Sequence, residues 1–147
     1  MRILVINGPN LNLLGLREPA IYGRKTYTEL QDYIRQAGSD LGVEVELFQS
    51  NLEGAIVDAI QDAYGRVDGI VINPAAYTHT SVAILDALKA VALPTVEVHL
   101  SDIQNREEFR RYSYISPACM ATICGHGFAG YREALSMLKQ QLKSQER

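Results

Sequence analysis

The sequence predicts a doubly wound α/β fold in which helices cover both faces of a five-stranded parallel sheet. Five short apolar segments alternate with segments of helical periodicity along the 147 residues. This alternation is typical of parallel sheets built from strand–helix–strand units. The chain is 47% hydrophobic and long enough for one core, so we expect a single domain over residues 1–147.

The predicted strands share runs of Val, Ile and Leu that are bounded by polar residues, Gly or Pro. They lie at Arg2–Ile6, Val43–Phe48, Gly69–Ile72, Pro94–Val98 and Ala118–Cys124. Short connections and right-handed crossovers favour the strand order 2-1-3-4-5, which is a flavodoxin-like arrangement.

The helices between the strands are predicted from apolar stripes and from capping signals at their starts. One stripe consists of Leu30, Ile34, Ala37 and Leu41, and another of Ile84, Leu85, Leu88 and Val91. Capping boxes of the form Ser/Thr-x-x-Glu/Gln pair Thr26 with Glu29, Ser50 with Glu53, and Ser101 with Gln104.

The segment 15–25, after the first strand, is predicted to be a long polar loop because its residues follow neither the helical nor the strand period. It carries three cations around Tyr22 and has Gly15 and Gly23 near its ends. It is either a solvated surface loop or a lid that closes over a substrate and delivers Tyr22. Tyrosine is a poor base unless a cation stabilises its phenolate, and Arg17 is placed to do so.

Polar side chains follow the ends of three predicted strands. Asn10 lies after the first strand, Asn73 and His79 after the third, and Glu97 and His99 end the fourth. The carboxyl ends of parallel strands share one edge of a sheet, and ligands bind there where the strand order reverses. We therefore expect these side chains to converge on one crevice.

Glu97 and His99 interrupt an otherwise apolar strand, Thr95–Ser101, and point to the face opposite Val96 and Val98. They could be a simple core ion pair. A carboxylate that orients an imidazole at a strand end also suits general acid–base catalysis, which is the interpretation we favour.

The segment Ser101–Arg110 is predicted to begin a short helix directly after His99. Free N–H groups at its start would form an anion site, and Arg106 and Arg110 lie one turn apart. The alternative is a salt-bridged surface helix.

Composition excludes several classes of function. A net charge of −3 and a pI near 5.6 argue against nucleic-acid and membrane binding. The first residues are too abruptly polar for a signal peptide. Cys119 and Cys124, about 16 Å apart if both lie in one strand, should be reduced thiols in a cytoplasmic protein.

Other sequence motifs give no cofactor or metal site. Residues 125–130 match G-x-G-x-x-G, but only one helix follows, so the second strand of a dinucleotide site is missing. The three histidines lack metal-ligand spacing. We expect neither a metal nor a cofactor.

Five ordered motifs make the chain similar to the type II 3-dehydroquinate dehydratases over essentially its whole length. They are Asn7–Gly15, Arg17–Gly23, Asn73–Ser81, Glu97–Ser101 and Arg106–Arg110. The resemblance implies a flavodoxin-like fold and the dehydration of 3-dehydroquinate to 3-dehydroshikimate in the shikimate pathway, without metal or cofactor. It also implies anti elimination through an enolate.

The resemblance also implies roles for single residues. Tyr22 is expected to remove the C2 proton with Arg17 beside it, and His99, oriented by Glu97, to protonate the departing hydroxyl. Asn10 is expected to hold a water at the enolate oxygen. Expected substrate contacts are the side chains of Asn73, His79 and Arg110, the backbone amides of Leu100 and Ser101, and Asp86 from a neighbouring subunit of a dodecamer built from trimers.

Two departures from the family pattern affect expected affinity: Ala76 stands where glycine is common, and residues 102–105 read Asp-Ile-Gln-Asn. Two rivals remain. A flavodoxin-like flavin carrier or receiver domain is one, although a receiver lacks its acidic residues here. A Schiff-base dehydratase using Lys25 is the other.

Overall fold

The computed structural model describes residues 1–16, 19–22 and 24–146, and of Tyr22 it describes the backbone alone. The predicted fold is confirmed. Five strands form one sheet in the order β2-β1-β3-β4-β5, and every neighbouring pair is parallel.

The strands are β1 (Arg2–Asn7), β2 (Glu44–Gln49), β3 (Gly69–Asn73), β4 (Thr95–His99) and β5 (Ala121–Cys124). The helices are α1 (Pro19–Tyr22), α2 (Tyr27–Leu41), α3 (Glu53–Ala63), α4 (Val82–Val91) and α5 (Ala129–Gln145). Short 3-10 turns lie at Leu11–Leu13, Ala75–His79, Ile103–Asn105, Glu108–Arg110 and Ser116–Ala118.

Helices cover the sheet on both faces. Alternate strand residues such as Ile3 and Val96 pack with α2 and α5, while Leu4 and Ile70 pack with α3 and α4. Strand residues alternate between faces, so the central strands bury apolar side chains on both sides, as their near-continuous Val/Ile runs predict. No helix in the described part of the chain is long and apolar enough to cross a membrane.

Two of the three predicted capping boxes are wrong. Thr26 caps α2 as expected, accepting the Glu29 N–H at 3.2 Å. Ser50 does not cap α3, because its hydroxyl accepts the N–H of Leu52 at 3.0 Å in a local turn. Ser101 does not cap a helix either, because Asp102 rather than Ser101 accepts the Gln104 N–H. An unpredicted cap is Ser81, which accepts the Ile84 N–H at the start of α4.

The fifth strand begins later than predicted. Ala118 ends a 3-10 turn over Ser116–Ala118. The N–H groups of Ala118 and Cys119 donate back to Ile115 O and Ser116 O, at 2.9 and 3.0 Å, rather than to β4. Cys119 therefore precedes β5 rather than lying in one strand with Cys124, and both cysteines are free thiols.

Segment 15–25 contains one helical turn that its sequence pattern did not predict. Pro19 begins α1, in keeping with the preference of proline for the first helical position. Gly15 has a φ of +90°, which glycine adopts without strain. Arg17, Glu18, Gly23 and Arg147 lie outside the described residues, so the lid interpretation stays a prediction.

Gly8 allows β1 and β3 to meet closely at the site. Its N–H donates to Asn73 O at 2.8 Å, and a Cβ built on it would lie 2.4 Å from Pro74 O. We expect Gly8→Ala to lower the free energy of unfolding by at least about 2 kcal/mol, because the contact is with backbone and cannot yield easily. Urea denaturation measures this.

Gly54→Ala is the matched control for Gly8→Ala. Gly54 lies in α3 with nothing within 4 Å of a built Cβ, so alanine should raise stability by a few tenths to about 1 kcal/mol. Equal midpoints for Gly8→Ala and wild type would contradict the close-approach argument.

Candidate active site

A cavity of about 230 Å³ opens at the carboxyl ends of the central strands, beside the point where the strand order reverses between β1 and β3. Its position is the one predicted for a ligand site in this architecture. The residues that line it are Pro9, Asn10, Leu11, Asn73, Ala75, Ala76, His79, His99, Leu100, Ser101, Ile103, Arg106 and Arg110.

Seven of the predicted site residues line this cavity together. They are Asn10, Asn73, His79, His99, Leu100, Ser101 and Arg110. Glu97 lies behind His99, and Asp86 is on an exposed part of α4 away from the cavity. Arg17 and the side chain of Tyr22 lie outside the described residues. The expectation that polar residues from separate strand ends converge is thus met for the described ones.

Glu97 and His99 form a buried pair at the end of β4. Glu97 is fully buried and His99 is 5% exposed. His99 Nε2 hydrogen-bonds Glu97 Oε2, so the imidazole orientation is fixed from behind while the ring borders the cavity. A ring oriented in this way by a carboxylate suits general acid–base chemistry at the cavity.

The carboxylate of Glu97 stays ionised despite its burial. Burial by itself raises the pKa of a carboxyl group, but the hydrogen bonds from His99, Ser116 and Ser113 together lower the pKa of Glu97 below its usual value. The charge that orients His99 is therefore maintained at neutral pH. Burial and, to a smaller extent, the nearby charge of Glu97 raise the pKa of the Cys119 thiol to about 12.

His79 faces the same cavity in its neutral form. Its Nδ1 lies 2.8 Å from Tyr112 O, and because a carbonyl can only accept, Nδ1 carries the hydrogen. Burial lowers the pKa of His79 below its ordinary value. Nε2 is thus an acceptor, suited to a substrate hydroxyl rather than to donating a proton.

The backbone at Leu100 and Ser101 presents N–H groups away from β5. His99 O accepts from Gly125 N–H at 3.3 Å, and Leu100 O accepts from Gly127 N–H at 3.2 Å. In a planar trans peptide the next N–H points opposite to the carbonyl. The N–H groups of Leu100 and Ser101 therefore point away from Gly125 and Gly127, and both residues line the cavity.

The predicted helix after His99 is wrong. Two three-residue 3-10 turns replace it, at Ile103–Asn105 and Glu108–Arg110. Asp102, not Ser101, accepts the Gln104 N–H, and the extended backbone of Arg106 interrupts the turns. The amides of Leu100 and Ser101 thus follow the end of β4 directly and do not belong to a helix start.

Arg106 and Arg110 give the cavity its positive charge. Both line it, although they lie on separate turns. The Nε atom of Arg110 lies 2.8 Å from Glu107 Oε2, an ion pair that is more exposed on the carboxylate side. Two guanidinium groups beside outward-pointing amides favour a carboxylate-bearing ligand.

A buried hydrogen-bonded network that the sequence did not predict fixes the ends of β1 and β3. Tyr131 is fully buried; its hydroxyl donates to Asn7 Oδ1 at 2.6 Å and accepts from Asn73 Nδ2 at 3.0 Å. Asn73 Oδ1 also accepts the Ala75 N–H. The Asn73 amide orientation is therefore set, with one N–H left to face the cavity.

Asn10 has a left-handed backbone, with φ of +70°, which asparagine tolerates better than most residues. Its N–H donates to Asn51 Oδ1 at 3.0 Å, and Gln49 Nε2 donates to Gly8 O at 3.1 Å. Gln49 is the last residue of β2. A search for polar residues at the carboxyl ends of all strands would therefore also have identified it.

The described residues contain no group of three or more His, Cys, Asp or Glu side chains arranged to hold a metal ion. Lys25, the candidate Schiff-base residue, is not among the described residues that line the cavity. Its ammonium lies 5.1 Å from the ring centroid of Phe128.

Comparison with known proteins gives one family for the whole chain. A model of the family described as "Dehydroquinase class II" matches residues 1–139. A protein named 3-dehydroquinate dehydratase from Clostridium acetobutylicum is 57% identical over 142 residues, which cover 97% of this chain and 99% of that protein.

Solved structures agree with this comparison. The type II dehydroquinase of Butyrivibrio crossotus has a TM-score of 0.93 and 52% identity, covering 95% of this chain and 97% of its own. That of Propionibacterium acnes has a TM-score of 0.91 and 45% identity, covering 95% and 96%. The likeness therefore extends over both sequence and fold.

Proposed function

Because this chain belongs to the class II dehydroquinase family, we propose that it is a 3-dehydroquinate dehydratase, a hydro-lyase that forms 3-dehydroshikimate in the shikimate pathway. The observation that carries the proposal is the buried Glu97–His99 pair beside a cationic cavity. That pair supplies a proton donor, and the cavity suits a small carboxylate with several hydroxyl groups.

The reaction breaks the C2–H and C1–O bonds of the substrate and forms a C1=C2 double bond. In the proposed sequence, the Tyr22 phenolate, stabilised by Arg17, takes the C2 proton, and the electron pair moves onto the C3 carbonyl oxygen as an enolate. A water held by Asn10 stabilises that oxygen. His99 then protonates the C1 hydroxyl, which leaves as water while the enolate electrons form the double bond.

Binding in this proposal uses the remaining cavity residues. The N–H groups of Leu100 and Ser101 hold the C1 carboxylate. Asn73, with one amide N–H free, and His79, with Nε2 as acceptor, contact substrate hydroxyls together with Arg110. All five residues line the cavity. The Asn73 amide is held by its hydrogen bond to Tyr131 and the His79 ring by its hydrogen bond to Tyr112.

The elimination is anti and needs no metal or cofactor in this proposal. The Schiff-base alternative requires a lysine at the C3 carbonyl. The position of Lys25 against Phe128 favours the enolate route over that alternative.

The direct test is to add 3-dehydroquinate to the purified protein and record the ultraviolet band of the conjugated enone. We expect the band to grow, and to grow at the same rate after borohydride treatment in the presence of substrate. Loss of activity with covalent trapping would support the lysine route, and no band at any pH would contradict the dehydratase assignment.

We propose a dodecamer of four trimers in which Asp86 completes the site of a neighbouring subunit. Asp86 is exposed on α4 and lies outside its own chain's cavity, as a residue acting in another subunit must. We expect Asp86→Ala to raise KM about tenfold, an effect of one charge-assisted hydrogen bond, with kcat and thermal stability little changed.

Steady-state kinetics and sedimentation together check the Asp86 prediction. Asp58→Ala, on the exposed side of α3, is the control and should leave KM unchanged. An unaltered KM for Asp86→Ala, or a wild-type protein that sediments as a monomer, would contradict the contribution from a neighbouring subunit.

We also propose that the enzyme acts in the cytoplasm. Cys119 and Cys124 are both free thiols, and burial is the first cause that raises the pKa of each. Such thiols fit a reducing compartment.

A further inference from the structure

We propose that Ser113 and Ser116 are positioning residues for the acid: their hydroxyl groups hold the Glu97 carboxylate in the place and charge state that orient His99. This inference rests on the proposed dehydratase function, because it assigns His99 the proton-donating step. It extends the acid apparatus from two residues of β4 to the connection between β4 and β5.

The contacts saturate the carboxylate of Glu97. Ser113 Oγ lies 2.8 Å from Oε2 and 3.0 Å from Oε1, and Ser116 Oγ donates to Oε1 at 2.8 Å. Thr122, in β5, adds a third hydroxyl at 3.2 Å from Oε1. With His99 on Oε2, both oxygens have the partners that a buried carboxylate needs.

These hydroxyl groups, together with His99, keep Glu97 ionised where bulk solvent does not reach it. The side chain is fully buried, and burial is the largest single influence on its pKa, acting to raise it. Ser116 and Ser113 are among the groups that reverse that effect. Without them the carboxyl would take up a proton at higher pH and would cease to accept the hydrogen bond that orients His99.

The two serines also connect the two histidines of the cavity. Tyr112, next to Ser113, holds His79 through its carbonyl, and Arg110, two residues earlier, lines the cavity. Ser113 Oγ further accepts the Ser116 N–H at 3.3 Å, which fixes the two serines relative to one another. Residues 110–116 thus form one segment that positions both histidines. The Tyr112 carbonyl holds His79, and the two serines hold His99 through Glu97.

The groups that face Glu97 are contributed by three parts of the fold. They are His99 from β4, Ser113 and Ser116 from the connecting segment, and Thr122 from β5. Burial and, after it, the charge of Glu97 raise the pKa of both Cys119 and Cys124. The same charge partly offsets the effect of burial, which lowers the pKa of His79. Among the described residues no second carboxylate is in contact with Glu97, so its titration reports this set of partners.

The test compares Ser113→Ala, Ser116→Ala and the double variant with the conservative Ser113→Thr and with the control Ser144→Ala. Ser144 donates a hydrogen bond to Gln141 O on the far helix α5. The Glu97 titration is followed by carboxyl NMR in protein with 13C-labelled glutamate, assigned with Glu97→Gln, and kcat and KM are measured across pH.

We expect the Glu97 titration to move upward by about one pH unit in each alanine variant and further in the double variant. At neutral pH kcat should fall about tenfold in the double variant with KM within about twofold, because Glu97 loses the hydroxyl groups that hold it against His99 while the binding groups are undisturbed. The loss should deepen as the pH falls toward the raised pKa of Glu97. Ser113→Thr should restore most of both, and Ser144→Ala should match wild type.

An unchanged Glu97 titration in the two single variants would overturn the inference, as would a double variant that keeps wild-type kcat. If the double variant does not fold, the single variants decide, because each retains one serine. A wild-type protein that does not dehydrate 3-dehydroquinate contradicts the proposed function instead, and this is seen before any variant is made.

Discussion

Replacing His99 with glutamine is expected to lower kcat about 10²- to 10⁴-fold, the range that general acid catalysis contributes. Glutamine keeps an N–H donor for Glu97 but cannot transfer a proton to the departing hydroxyl. Because the cavity lining is otherwise unchanged, KM should change far less than kcat. Stopped-time assays of the enone band over a range of substrate concentrations separate the two constants.

His126→Gln is the matched control for that experiment. His126 also pairs with a glutamate, at 2.7 Å from Glu133 Oε2, but the pair lies on the surface. The control should retain wild-type kcat. A His99→Gln enzyme within tenfold of wild type would remove His99 from the acid role and leave the Glu97–His99 pair as a structural ion pair.

Replacing Tyr22 with phenylalanine is expected to reduce kcat by at least about 10³-fold while 3-dehydroquinate still binds. The change removes only the phenolic oxygen, so the proton on C2 has no acceptor but the ring stays in place. Calorimetric titration with 3-dehydroquinate measures binding in the absence of turnover. Arg17→Gln should weaken the same step through the phenolate.

Tyr64→Phe provides the control for the tyrosine change, because Tyr64 is 71% exposed at the end of α3. It should leave kcat and KM unaltered. If Tyr22→Phe retained more than about a tenth of wild-type kcat, another group would have to be the base.

Much of the site could be predicted because strand ends are readable in the sequence. Asn73, Glu97 and His99 directly follow or end apolar runs, and His79 lies six residues after Asn73 in the same connection. Parallel topology brings such strand ends together. The structure places all four at or directly behind one cavity.

What the sequence did not predict depends on contacts between distant segments. The hydroxyl of Tyr131 reaches Asn7 across 124 positions, and Tyr131 reads simply as a core residue of α5. Ser113 and Ser116 lie in an irregular connection whose course follows no period. Only the folded chain shows that their hydroxyl groups meet Glu97.

The failed predictions of helix caps have a local cause. A capping box requires the first residue to accept an N–H three positions later, yet Ser50 and Asp102 accept an N–H two positions later. Ser and Asp side chains form such turns readily, so the pattern by itself does not distinguish a helix start from a short turn.

The most direct test of the enolate mechanism is the fate of deuterium placed stereospecifically at C2 of 3-dehydroquinate. The proposed anti elimination, in which Tyr22 and His99 act on opposite faces of the substrate ring, predicts that the label anti to the C1 hydroxyl is lost to solvent. The syn label should be kept in 3-dehydroshikimate. Loss of the syn label with retention of the anti label would contradict the account and favour an imine formed on a lysine.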